Sequence, residues 1–196
     1  MQGRFDSPLD DVGREQAKIV GEAIRERWQV DRLVTTSRCR TTQTAEAAGL
    51  GELPTIVDDR WQEVNFGDYD DRRITDVIKD LGSAWATDVD YVPPNGESLA
   101  AMHRRVGEAV AELIEPAGDE TILVVTHATP IKSAVAWLLK SDVETILRLR
   151  INLASVTAFL PSPNGLLLSD YNWCPARGVG GAAPTQISAL DTPPSR

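Results

Sequence analysis

Apolar and polar positions along this chain switch repeatedly between helical and strand spacing. From 10 to 28, Val12, Ile19, Val20, Ala23, Ile24 and Trp28 keep the helical period, with Asp10 placed to cap and Asp11 to favour the dipole. A run at 31–36 predicts a short strand, 40–48 a helix ending at Gly49, and 55–57 a second strand after Pro54. A polar, Gly- and Asp-rich loop follows at 58–71, then short helical pieces over 72–87. Pro93-Pro94-Asn95-Gly96 reads as a turn into a long helix over 97–115, burying Leu99, Met102, Val106, Ala109, Val110, Leu113 and Ile114. The apolar run 121–126 predicts a strand, and 129–140 and 142–148 predict helices. Strands at 153–160 and 166–171 flank Pro163-Asn164-Gly165, a hairpin turn.

Strands alternating with helices, closed by a hairpin, predict a three-layer α/β/α sandwich over 1–174. From Pro175 the chain is rich in Gly, Ala, Pro and Ser, so 175–196 is expected to be a disordered tail. No internal repeat is visible. The first helix has no strand before it, although such a helix normally crosses over between two parallel strands. The chain reads as though a central strand and part of a loop were missing ahead of Met1, roughly fifteen to twenty residues. A misplaced start codon would produce this, and a polypeptide starting at Met1 is expected to be destabilised or aggregation-prone.

Composition narrows the function. The 196 residues carry a net charge of −9, which argues against nucleic acid as a bulk electrostatic partner. A local arginine cluster could still bind a small anion. Two cysteines, Cys39 and Cys174, make neither a disulfide scaffold nor a zinc site. No stretch reaches membrane-spanning length and no signal segment is evident, so a cytoplasmic location is expected.

Chemistry concentrates where strands end. His127 closes the apolar run Thr121-Ile122-Leu123-Val124-Val125-Thr126, and a helix with Pro130 in its first turn follows. An imidazole at a strand's carboxyl end, beside a helix N-terminus, suits phosphate. The bland alternative is a core histidine satisfied by the backbone. Arg40, in Thr36-Ser37-Arg38-Cys39-Arg40-Thr41-Thr42-Gln43-Thr44-Ala45, sits at a second strand-to-helix turn and could fork onto phosphate oxygens. It could equally be a surface arginine. Glu63 lies among Trp61, Phe66 and Tyr69, whose rings could desolvate a carboxyl proton donor, though ordinary loop glutamates are common. Arg38 reads as solvated, His103 as solvated or capping, Glu97 and Ser98 as helix-start residues, and Trp137 and Leu138 as packing. Cys39 sits near a basic loop where a lowered pKa is conceivable, but no partner base is evident.

Five collinear stretches resemble the histidine phosphatase superfamily, also called phosphoglycerate mutase-like. They are Asp6-Ser7-Pro8-Leu9 through Ala17, the Arg40 stretch, Glu63 through Tyr69, Asn95-Gly96-Glu97-Ser98, and Val125-Thr126-His127-Ala128, together covering about residues 2–172. The run His127-Ala128-Thr129-Pro130-Ile131-Lys132 further resembles an actinobacterial acid-phosphatase branch, some of whose members are fused to a ribonuclease H domain. The resemblance implies phosphomonoester hydrolysis through a phosphohistidine, with a phosphorylated small molecule as substrate. It implies no metal and no cofactor. Carried over, Arg40 and His127 hold the phosphoryl oxygens, and Ala128 lines the same site. Glu63 serves as general acid and later as base for water, while Gln2 and Gly3 contact the substrate beyond the phosphate.

This sequence departs from the family pattern in several places. The Arg-His-Gly motif bearing the nucleophile is absent, Asp70-Asp71 replaces Glu-Gly after Tyr69, and Thr36-Ser37 replaces Ser-Pro. Phosphoglycerate mutase-type transfer, or a catalytically dead pseudophosphatase that binds phosphorylated ligands, are the alternatives. Oligomeric state is not encoded in any pattern here.

Overall fold

A computed structural model describes residues 1–81, 87–115 and 118–176. Helix α1 (Asp11–Arg27) starts where its cap is best, with Asp10 Oδ1 accepting the Gly13 N–H at 2.7 Å. Strand β1 (Arg32–Thr35), helix α2 (Cys39–Ala47) and strand β2 (Thr55–Val57) follow. The 58–71 segment is not plain loop. It holds two 3-10 turns, Asp59–Trp61 and Gly67–Tyr69, the first capped by Asp58. Helix α3 (Ile74–Leu81) and helix α4 (Leu99–Ile114) come next, and Ser98 caps α4 by accepting the Ala101 N–H at 3.1 Å. Strand β3 (Ile122–Val124), helix α5 (Ala128–Leu138) and a 3-10 segment (Val143–Arg148), where a helix was expected, lead to strands β4 (Val156–Ser162) and β5 (Gly165–Trp173).

The sheet order β2-β1-β3 is parallel throughout, and β4-β5 is a separate antiparallel pair. The chain folds as a three-layer α/β/α sandwich, and among the described residues no strand precedes α1. Alternation along β3 builds the layers. Ile122 and Val124 pack with Val34 against α4 and α5, around Met102, Val106, Val110 and Ala136. Leu123 points the other way, into a cluster with Val20 and Ile24 of α1. Gly107 lets α4 and α5 approach within their layer, since a Cβ there would lie 2.5 Å from Trp137 Cδ1.

The hairpin starts later than the sequence suggests. Ala154 takes φ of 50°, which breaks the extended run before Val156. It docks on α1 through Trp28 and Trp173, edge-to-face at 6.1 Å, with the Arg27 guanidinium 4.5 and 4.3 Å from the two rings and 3.1 Å from Asp170. Packing continues through Ala176, which joins Val20 and Ile24, so the first two residues assigned to the tail are placed. The rest of that expected tail, 177–196, lies outside the described residues, as do 82–86 of the helical pieces expected over 72–87.

Candidate functional site

The carboxyl ends of β1 and β3 are neighbours in the sheet, because Val34 pairs with Val124. Each strand then turns into a helix, and this brings Arg40 and His127 together. Arg40 Nε donates to His127 Nδ1 at 3.2 Å. With Nδ1 accepting, the neutral ring carries its proton on Nε2 and donates it to Thr36 Oγ1 at 3.2 Å. Burial, then the guanidiniums of Arg40, Arg38, Arg4 and Arg105, push the His127 pKa down to about 3. The imidazole is therefore neutral at any physiological pH.

The remaining Arg40 donors close over the N-terminal loop. Nη1 donates to the Phe5 carbonyl at 2.7 Å, and Nη2 to the carbonyls of Gly3 at 2.9 Å and Gln2 at 3.4 Å. From the other side, Asp70 accepts three consecutive N–H groups, from Gly3, Arg4 and Phe5, at 2.6–2.8 Å. Residues 2–5 are thus clamped between a cation and an anion. Gly3 is buried against the next loop, where a Cβ would collide with the Val64 carbonyl and sit 2.9 Å from Phe66 Cδ2.

Glu63 is only 8 % exposed. Its Oε2 accepts the Thr129 N–H at 3.1 Å and its Oε1 the Val64 N–H at 2.8 Å. A helix N-terminal donor expected to face an anion is thus taken by this carboxylate, next to Ala128, the first residue of α5. Lys132 lies one turn further along α5. Burial lowers its pKa, and Glu63 opposes that shift.

The structure brings Gln2, Gly3, Arg40, Glu63, His127 and Ala128 into one locality. His103 is elsewhere and is not a solvated or capping residue. Its Nδ1 meets Ser133 Oγ at 2.9 Å between α4 and α5, and burial lowers its pKa. Arg38 is half-buried rather than solvated, with Nη2 on Gln62 Oε1 at 3.1 Å and a buried Nε without a partner. Cys39 does not carry the lowered pKa that its basic loop suggests. Desolvation and then Asp6 raise it, and Asp6 also accepts the Cys39 N–H at 2.9 Å. Ser98 caps α4 and Glu97 directly precedes that cap, as expected, but the Glu97 carboxylate pairs with Arg105 at 2.6 Å rather than with the helix N-terminus. Thr36, Asp70, Glu97 and Arg105 were missed as parts of the site. Thr36 and Glu97 lay inside family-like stretches and Asp70 at a departure from one, whereas Arg105 gave no local signal. Among the described residues no cluster of three or more His, Cys, Asp or Glu could hold a metal ion. A cavity of about 420 Å³ lined by Arg25, Trp28, Gly49 and Glu52 lies at the far end of α2 from Arg40. No helix among the described residues is long and apolar enough to cross a membrane.

The family model for the histidine phosphatase superfamily (branch 1) matches residues 1–174. A Mycobacterium tuberculosis protein named as bifunctional is 29% identical over 159 residues, covering 79% of this chain and 44% of that protein. The chain therefore spans less than half the length of that relative. A Yersinia enterocolitica protein named probable phosphoglycerate mutase GpmB is 30% identical over 199 residues, covering 97% of this chain and 89% of its own. The solved structure of a mycobacterial glucosyl-3-phosphoglycerate phosphatase superposes with a TM-score of 0.77 at 28% identity, covering 88% of this chain and 91% of that one.

Proposed function

Because the chain belongs to the histidine phosphatase superfamily, branch 1, we propose that its site hydrolyses phosphomonoesters of small molecules without metal or cofactor. The observation that carries this is the 3.2 Å contact between Arg40 Nε and His127 Nδ1 at adjacent strand ends, with Glu63 on the neighbouring helix N-terminus. A phosphoryl group held there is stabilised by the guanidinium and the imidazole as charge builds on its oxygens. Glu63 gives a proton to the leaving alkoxide as the P–O bond breaks. It then takes one from the water that hydrolyses the phosphohistidine.

In this reading the attacking imidazole lies outside residues 1–196. The sequence holds two histidines, and His103 is committed to Ser133. Among the described residues β3 pairs with β1 alone, and β4-β5 stands as its own sheet, so the outer edge of β3 is open to one more strand. We assign the nucleophile to that strand, and the actinobacterial acid-phosphatase branch to the His127–Lys132 run. The site is assigned to the domain over 1–174.

The test compares residues 1–196 with a form extended by the in-frame upstream codons, using 4-nitrophenyl phosphate and acid-labile phosphohistidine trapping. The extended form is expected to turn over and to trap, and the shorter form only to bind vanadate. Equal turnover by both forms, or none by the extended form, overturns the reading. The 30% identity to the protein named a phosphoglycerate mutase, over nearly the whole chain, favours a transferase as second reading. Interconversion of phosphoglycerates without phosphate release would select it.

A further inference from the structure

Arg105 on α4 commits every N–H of its guanidinium to one neighbourhood. Nη1 donates to the carbonyls of Arg60 at 2.6 Å and Gln62 at 2.9 Å. Nη2 donates to the Glu63 carbonyl at 3.2 Å and to Glu97 Oε1 at 2.6 Å, and Nε to Glu97 Oε2 at 3.0 Å. Glu97 carries the grip onward. Its Oε1 accepts the Asn65 N–H at 2.9 Å, and its own N–H donates to the Asn65 carbonyl at 2.9 Å. The loop is therefore held at 60, 62, 63 and 65, on both sides of the residue whose carboxyl faces α5.

The structure assigns Arg105 a positioning role: through the Glu97 pair it fixes the backbone that aims the Glu63 carboxyl, without touching the reacting group itself. This rests on the reading of Glu63 as general acid. Proton transfer demands a heavy-atom approach of about 2.6–3.2 Å, so a loop that drifts by an ångström loses the transfer. A buried lysine has a point charge in place of the planar fork and cannot serve five acceptors in this arrangement.

Leaving-group dependence separates positioning from bulk stability. Aryl phosphates such as 4-nitrophenyl phosphate expel a stable phenolate and need little proton donation, whereas glycerol phosphate expels an alkoxide that needs a full proton. In the N-terminally extended protein, Arg105→Gln is expected to lower kcat/KM, which reports phosphoryl transfer to the enzyme and not the later attack by water, at least about tenfold on glycerol phosphate and less than about threefold on the aryl ester. Glu63→Gln should show the same split in kcat/KM, while its kcat falls on both esters because they share the water step. The double variant should lose no more, and Arg105→Lys should rescue at most in part. Equal losses of kcat/KM on both esters overturn the proposal.

A second measurement needs no turnover. The Thr129 amide, bonded to Glu63 Oε2 at 3.1 Å, should exchange with solvent faster in Arg105→Gln while amides of α1 and β1 keep their protection. Unchanged Thr129 exchange overturns the proposal even if the protein hydrolyses neither ester. That last result alone would instead overturn the phosphatase reading.

Discussion

Protonation of His127 offers a sharp test of how this site is built. Buried, and surrounded by four guanidiniums, the folded imidazole resists its proton down to about pH 3. An unfolded histidine takes it at about 6.5. The folded pKa is the lower of the two, so between these values the unfolded state binds one more proton than the folded state. Stability is therefore untouched above about pH 6.5, falls as pH drops through that value, and stops falling near pH 3. Integrated from pH 7 to pH 4.5, the cost is about 2.5 kcal/mol. Because the residue is 8 % exposed, solvent screening does little to reduce it. Carboxylates and His103 also titrate, but they are common to the protein and to a His127→Gln variant, so their contributions cancel in the difference. Urea unfolding, followed by fluorescence of the five tryptophans, gives that difference at each pH. The advantage of the starting protein over His127→Gln should shrink by about 2.5 kcal/mol between pH 7 and 4.5. A gap that stays constant across that range refutes a neutral, cation-surrounded His127.

Two more outcomes follow from the same contacts. Gly3→Ala would drive a methyl into the Val64 carbonyl and Phe66, so it should cost about 1–3 kcal/mol in urea unfolding and weaken vanadate binding. Behaviour like the parent would show that residues 2–5 are not clamped. Trp173→Ala removes a ring from both Trp28 and Arg27 and should cost about 2 kcal/mol, with amide exchange rising in β5 but not in α4. Uniform acceleration across both would refute local docking of the hairpin.

Helices α1 and α4 were legible because a capping side chain and an apolar stripe coincide in each, at Asp10 and Ser98. Strand β3 was legible as an apolar run but came out shorter than 121–126, because the chain turns toward His127 after Val124. Sheet order was not legible, since parallel pairing between β1 and β3 joins segments some ninety residues apart. The residues nearest the chemistry divide the same way. His127 and Arg40 were found because each closes a strand and opens a helix. Asp70, 67 residues from the Gly3 N–H it accepts, and Arg105, 42 residues from the Glu63 carbonyl, act through backbone groups that no sequence pattern marks.

How an acidic protein keeps a positive spot comes down to what each arginine is paired with. Arg60 faces two carboxylates, Asp58 at 2.8 Å and Glu112 at 2.7 Å, and its charge is spent at the surface. Arg40 is held instead by three carbonyls and an imidazole, all neutral, with Asp6 no nearer than 3.9 Å. Arg38 is held by a glutamine amide, and Arg4 and Arg105 share the single carboxylate of Glu97. Neutral acceptors fix a guanidinium in place without cancelling its field. That is why all four lower the affinity of His127 for a proton in a chain whose net charge is −9. At physiological ionic strength the distant carboxylates are screened over about 8 Å, so charges near the imidazole set its potential. The same field that keeps a proton off His127 favours a phosphate dianion beside it, which links the neutrality of the ring to the ligand class proposed for the site.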